Sequence, residues 1–189
     1  MHSIEPYDRW RGIYDAAEDE KSPFFGREYH EFEFVNQVYN YVIHPQWDEF
    51  GSETLYCKIL FVDDRQQVAI LEFIGEWNDC LHNDIALLKR QVIDPLIHRG
   101  IIHFILIGEN VMVFHPSDDS YYEEWFDEVE EGWIAAINFL DHVREDFHQF
   151  GIDRYFIHGG SLDATAWRTL RPLQFFEMVS GTVQKRLGL

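Results

Sequence analysis

Residues 68–110 read VAILEFIGEWNDCLHNDIALLKRQVIDPLIHRGIIHFILIGEN. Over 68–108 the pattern is a buried strand, an amphipathic helix and a second buried strand. Val68–Ile74 and Ile101–Ile107 are nearly continuous apolar runs, as in parallel strands covered on both faces. Between them Leu81, Ile85, Leu88, Val92 and Leu96 recur every three or four residues, which predicts one helix near 79–99 with a single stripe facing a core. Asn78 or Asp79 can cap its first amides, and Gly100 supplies a left-handed end. Pro95 should kink or shorten its last turns. A strand, a crossover helix and a parallel strand form a right-handed unit. The fold class that follows is α/β.

Upstream, Leu55–Val62 alternates, with Leu55, Cys57, Ile59 and Phe61 on one face. The turn at Asp63–Gln66 is short, so this strand should pair with Val68–Ile74 as an antiparallel hairpin. Residues 28–43 suggest two aromatic-rich strands around Asn36-Gln37, and His44–Glu53 is a loop. Residues 7–20 fit a short helix with Tyr7, Trp10, Tyr14 and Ala17 on one face, ended before Pro23. Downstream, a helix is expected within 118–131 and another over Trp133–Phe150. A short strand at Tyr155–Ile157 follows, then a last helix bearing Leu173, Phe176, Val179 and Val183. Together these predict a single α/β domain over 1–189 with a mixed sheet of about five or six strands. Its N-terminal part is antiparallel, and the aromatic-rich region 1–53 packs on it.

The net charge is −19, from 15 Lys and Arg against 34 Asp and Glu. A phosphate backbone and an anionic lipid surface would both be repelled, so neither nucleic acid nor membrane is an expected partner. The balance favours solubility or a basic protein partner. No apolar run reaches the ~20 residues of a membrane helix, and MHSIEPYDRWRG has no apolar core of a signal peptide, so a cytoplasmic location is expected. Cys57 and Cys80 lack CxxC spacing and read as free buried thiols.

Ligands in open α/β sheets bind beyond the carboxyl ends of the strands. There the sequence places Gly75-Glu76-Trp77-Asn78-Asp79, Gly108-Glu109-Asn110 and His158-Gly159-Gly160-Ser161. If the strands are parallel, Glu76, Asp79, Glu109 and His158 are candidate catalytic or cation-holding groups, with Trp77 as a ligand wall and Asn110 beside it. The competing expectation is that these residues cap helices and close turns. Residues 118–131 carry eight carboxylates without the ligand order of an EF-hand loop, so a solvated helix face is expected there. None of the 10 histidines has zinc spacing, and no P-loop, GxGxxG or GxSxG is present; no metal or cofactor is expected.

Two resemblances follow from these residues. YDRWRGIYDAAEDEKSPFFG, YNYVIHPQWDEFGS, IGEWNDC and SDDSYYEEWFDEVEEGWIAAINF resemble a family of uncharacterised bacterial proteins, a likeness that implies no function. From Leu55 to Phe150 the order of elements is similar to STAS domains of the anti-sigma-factor antagonist type. FILIGENVMVFHPSDDS lies where such domains carry a strand, a loop and a serine whose phosphorylation switches partner binding, which implies Ser117 as a phosphosite, with Ser120 nearby. Pro116-Ser117-Asp118-Asp119 departs from the Asp-Ser-Ser-Gly pattern of that family, and two aspartates would repel a phosphate. The expectation for function is a non-catalytic, STAS-like interaction or regulatory module. The alternative is an enzyme or small-ligand binder with an acidic site at the strand ends.

Overall fold

The computed structural model describes residues 2–30, 32–34 and 36–188. Three short strands come first, β1 (His2–Ile4), β2 (Gln37–Val38) and β3 (Tyr41–Ile43). Four longer ones follow, β4 (Leu55–Asp63), β5 (Val68–Asn78), β6 (His103–His115) and β7 (Trp133–Ile137). The main sheet has the order β4-β5-β6-β7. β4 pairs antiparallel with β5, whereas β5, β6 and β7 are mutually parallel. The α/β class, the antiparallel first pair and the strand–helix–strand core are therefore observed. The strands divide over two sheets rather than one: β1, β3 and β2 form a separate three-stranded sheet. That small sheet packs Val38 and Ile43 with Trp47, Tyr56 and Ile74. Its hairpin turns at Tyr39-Asn40 rather than Asn36-Gln37, with Tyr39 left-handed at φ 52°. Glu31 and Val35, within the expected strand pair, lie outside the described residues.

The predicted helix at 79–99 is broken into pieces. α1 (Asp79–His82) stops at Asn83, whose φ of 56° is left-handed, and α2 (Asp84–Leu88) starts afresh. Ile85, Leu88, Val92 and Leu96 are buried as the stripe requires, but Leu81 belongs to α1 and is 78% exposed. A π-helical turn, Lys89–Ile93, then leads into α3 (Asp94–His98). Pro95 explains it: its ring would meet the carbonyl of Gln91 in a regular helix, and widening the turn relieves that clash without ending the helix. Gly100, at φ 97°, ends the segment as expected.

Four other elements depart from the periodicity. Trp133–Phe150 is not one helix: Trp133–Ile137, buried throughout, pairs with His103–Ile107 as β7, and only α5 (Asp141–Gln149) is helical. A slot beside β6 overrides a spacing that suits either element. The strand at 155–157 reduces to one bridge between Ile157 and Ala135. Residues 7–20 form turns, because Asp15 and Asp19 take the backbone N–H groups of Ala17 and Lys21 and compete with a helix. In β4 a bulge between Ile59 and Phe61 moves Phe61 to the opposite core from Leu55, Cys57 and Ile59. α4 (Ser120–Glu128) and α6 (Pro172–Leu187) form where expected.

The sheet lies between two layers. On one face, Ile85, Leu88, Val92, Trp125, Val143 and Phe147 of the helical segments meet Leu71, Phe73, Phe104 and Leu106. On the other, Trp10, Trp167 and Phe175, Val179 and Val183 of α6 meet Ile70, Ile105 and Ile107. Burying each such side chain contributes about 1.5–3 kcal/mol.

Candidate functional site

β5 and β6 run further than their apolar cores suggest. Their carboxyl ends fall at Asn78 and His115, and Glu109 and Asn110 sit inside β6. At the end of β5 the polar residues close the chain on itself. Asn78 Oδ1 accepts the Leu81 N–H at 3.0 Å and caps α1. Asp79 accepts the Tyr122 O–H at 2.7 Å and the Ile85 N–H at 2.8 Å. Asp84 accepts the Asn78 N–H at 2.7 Å. Both carboxyls are buried, and that burial raises both pKa values. Asp79 reaches about 6, because desolvation and the neighbouring Asp84 outweigh the hydrogen bonds to the charged form. Trp77, expected as a ligand wall, is instead wholly buried among Phe73, Phe114 and Tyr122. Asn110 is half-buried on β6 opposite Ile74.

Over this closed end lies a shallow cleft of about 470 Å³, lined by Glu76, Asn78, Cys80, Leu81, His115, Pro116 and Phe150. Leu81 stands 78% exposed and Phe150 49% exposed, at the C-terminus of α5. Cys80 is exposed, contrary to the expected buried thiol, and its Sγ donates to the Pro116 carbonyl at 3.3 Å; Cys57 is buried. Carboxylates edge the cleft. Glu76 accepts from the Tyr39 hydroxyl and from Asn78 Nδ2, both at 2.6 Å. Burial opposes its charge, but those bonds prevail and hold its pKa below the usual value. Glu53 reaches His82 at 3.8 Å. Ser117 is exposed next to Pro116, followed by Asp118 and Asp119.

Glu109 belongs to a second centre, on the opposite face of the sheet. It accepts from Asn138 Nδ2 at 2.7 Å, from Trp167 Nε1 at 2.8 Å and from Arg168 Nη1. Burial opposes its charge, yet these donors hold its pKa low. Arg168 also reaches Glu72 Oε1 at 3.3 Å, and Glu72 Oε2 accepts the Tyr7 N–H at 2.8 Å. Glu72 is 1% exposed, in the middle of β5. Sequence reasoning missed it, although a lone acid in the run VAILEFI was a visible signal.

His158 is elsewhere again. It lies beside the Phe147 ring, in a depression with Asp141, Arg144, Glu145 and His148, and its backbone carbonyl accepts from Arg186 at 2.6 Å. Burial holds its imidazole pKa below the ordinary value. Glu76, Asp79, Glu109 and His158 thus occupy separate hydrogen-bond networks and do not share one cleft. Among the described residues no three His, Cys, Asp or Glu side chains are grouped to hold a metal ion, and no helix is long and apolar enough to cross a membrane.

No protein-family model and no curated protein matches the chain. Among solved structures, the anti-sigma factor antagonist SpoIIAA in its unphosphorylated form matches at 13% identity, over 66% of this chain and 96% of its own, with a TM-score of 0.45. The Bacillus cell fate determinant SpoIIAA in its phosphorylated form matches at 14% identity, over 57% of this chain and 95% of its own, with a TM-score of 0.38.

Proposed function

We propose that the chain is a non-catalytic interaction module whose docking surface is the cleft at the carboxyl ends of β5 and β6. Its occupant is a protein segment with apolar side chains flanked by Lys or Arg. The observation that carries this reading is the pair Leu81 and Phe150, two large apolar side chains held out over one cleft. The αL turn at Asn83 keeps α1 apart from the core-facing α2, so Leu81 is displayed rather than packed. Glu76 lines the apolar centre, and Glu53 beside His82 of α1 and Asp118 two residues beyond Pro116 add negative charge near it, on a chain of net charge −19. An apolar centre with a charged rim is the anatomy of a protein interface, and the rim sets the sign of the partner. The catalytic alternative needs a shared reaction space, and the four candidate groups are engaged in separate networks.

Ser117 stands next to Pro116 of the cleft wall. A phosphate there would add charge facing the occupant, in the loop that Cys80 holds through the Pro116 carbonyl. This role is a proposal of the same reading.

Cys80 offers a direct test, since it lines the cleft while Cys57 is buried. A lysine- and leucine-rich amphipathic peptide should slow the reaction of the Cys80 thiol with a disulfide reagent, and less so at high salt. Leu81→Ser and Phe150→Ser should abolish that protection. Equal protection in both variants, or none at any peptide concentration, would remove the docking surface. Self-association that is lost in Leu81→Ser would assign the cleft to a second copy of this chain instead.

A further inference from the structure

Glu72 occupies a place where a carboxylate is expensive. It lies mid-strand in β5, 1% exposed, on the face covered by Trp10 and Trp167. Its donors are few: the Tyr7 N–H at 2.8 Å and Arg168 Nη2 at the longer distance of 3.3 Å. The guanidinium is shared. Arg168 Nη1 binds Glu109 more closely, and Glu109 has Asn138 and Trp167 as further donors. One cation therefore faces two carboxylates, and the better-served one is Glu109. The charged groups around Glu72 are Lys58, its cross-strand partner on β4, whose Nζ goes to Asp48 at 3.2 Å, Glu109 from β6 and Arg168 from the 166–170 segment. Tyr7 brings a backbone N–H, and its hydroxyl goes to the Arg168 carbonyl at 2.9 Å.

The Tyr7 contact ends a strap. Residues 7–14 cross this face as turns rather than a helix, seated by rings: Tyr7 lies 4.8 Å from Trp167 and 5.3 Å from Trp10, and Trp10 Nε1 donates to the Leu170 carbonyl at 3.0 Å. We propose that Glu72 is a proton-operated latch: neutral, it keeps residues 7–14 seated on the sheet, and ionised, it releases them. An ionised Glu72 needs water that the closed face excludes. Lifting the strap admits water and uncovers Trp167, whereas unfolding the sheet would cost far more. Burial, with Glu109 adding to it, sets the working range, since it pushes Glu72 up to about 7.

The test is hydrogen exchange of the Tyr7 amide in the full chain between pH 5.5 and 8.5, corrected for the intrinsic pH dependence of exchange. Protection should fall about tenfold or more across the interval, with a midpoint near neutrality. In Glu72→Gln it should stay constant. In Glu109→Gln, Arg168 is left to Glu72 alone, and the midpoint should move to lower pH. Flat protection in the wild-type chain, or an unchanged fall in Glu72→Gln, overturns the latch. Should Glu72→Gln fail to fold, an unmoved midpoint in Glu109→Gln overturns it equally. Trypsin cleavage at Arg9 and Arg11, referenced to a free peptide, must follow the same profile; cleavage independent of pH counts against release.

Discussion

Replacing Glu72 with Gln should stabilise the protein at alkaline pH and leave it unchanged in acid. The ordinary glutamate value is 4.5, and burial in β5 raises it to about 7. A difference of that size is worth about 3 kcal/mol between the two protonation states. The sign follows from proton binding. The folded state holds the proton more tightly than the unfolded chain, so the favourable contribution is complete below 4.5, declines as pH rises, and is gone above 7. The amide introduced by Glu72→Gln keeps an acceptor for the Tyr7 N–H and carries no charge at any pH. The two proteins should therefore match at pH 4.5, diverge through the interval, and differ by up to about 3 kcal/mol at pH 8. Release of the strap rehydrates Glu72 and takes up part of this, so the figure is an upper bound. Urea unfolding at several pH values, read by tryptophan fluorescence, measures the difference; by heat it amounts to roughly 6–12 °C in Tm. A gap that is constant with pH, or one that widens toward acid, would refute the reasoning.

Two further substitutions test the packing. Gly108→Ala would drive a Cβ into the Phe139 ring, in the space where β6 passes the chain beyond β7. It should destabilise by about 1–3 kcal/mol in urea unfolding, and Phe139→Leu should recover part of the loss. Lys89 is wholly buried, with its Nζ bound to Asp94 and Glu128 and 3.7 Å from Glu124. Lys89→Met leaves Asp94 and Glu124 to Arg90 and takes the ammonium away from Glu128; it should cost about 1–3 kcal/mol by the same assay, a loss reduced when Glu128→Gln is added.

The sheet core was legible because its cause is local. Val68–Ile74 and Ile101–Ile107 are apolar on both faces, and only strands covered on both sides tolerate that. What escaped is set by distant partners. WIAAI satisfies helical spacing as well as strand burial, and the choice is made by His103–Ile107, about thirty residues away. Leu81 continues the stripe of Ile85 and Leu88 on paper; the left-handed Asn83 rotates it into solvent, and no period of three or four encodes that turn. The strand ends were misplaced for a related reason. Gly75-Glu76 and Gly108-Glu109 look like chain breakers, but β5 and β6 satisfy each other's backbone through Asn78 and His115 and carry the polar residues along. Glu109 thereby became a partner of Arg168, and Asp79 a buried acceptor for Tyr122. Arg168 could not have been singled out, since its role depends on a segment that folds back over strands about a hundred residues earlier.

The docking surface is tested most directly by titrating a leucine- and lysine-rich amphipathic peptide into the isotope-labelled protein and mapping the backbone amide shifts. The account predicts saturable shifts confined to Asn78–His82, His115–Asp119 and the C-terminus of α5 around Phe150, weakened by salt and lost in Leu81→Ser. Shifts centred on the acidic face of α4, or a map unchanged by Leu81→Ser, would contradict it.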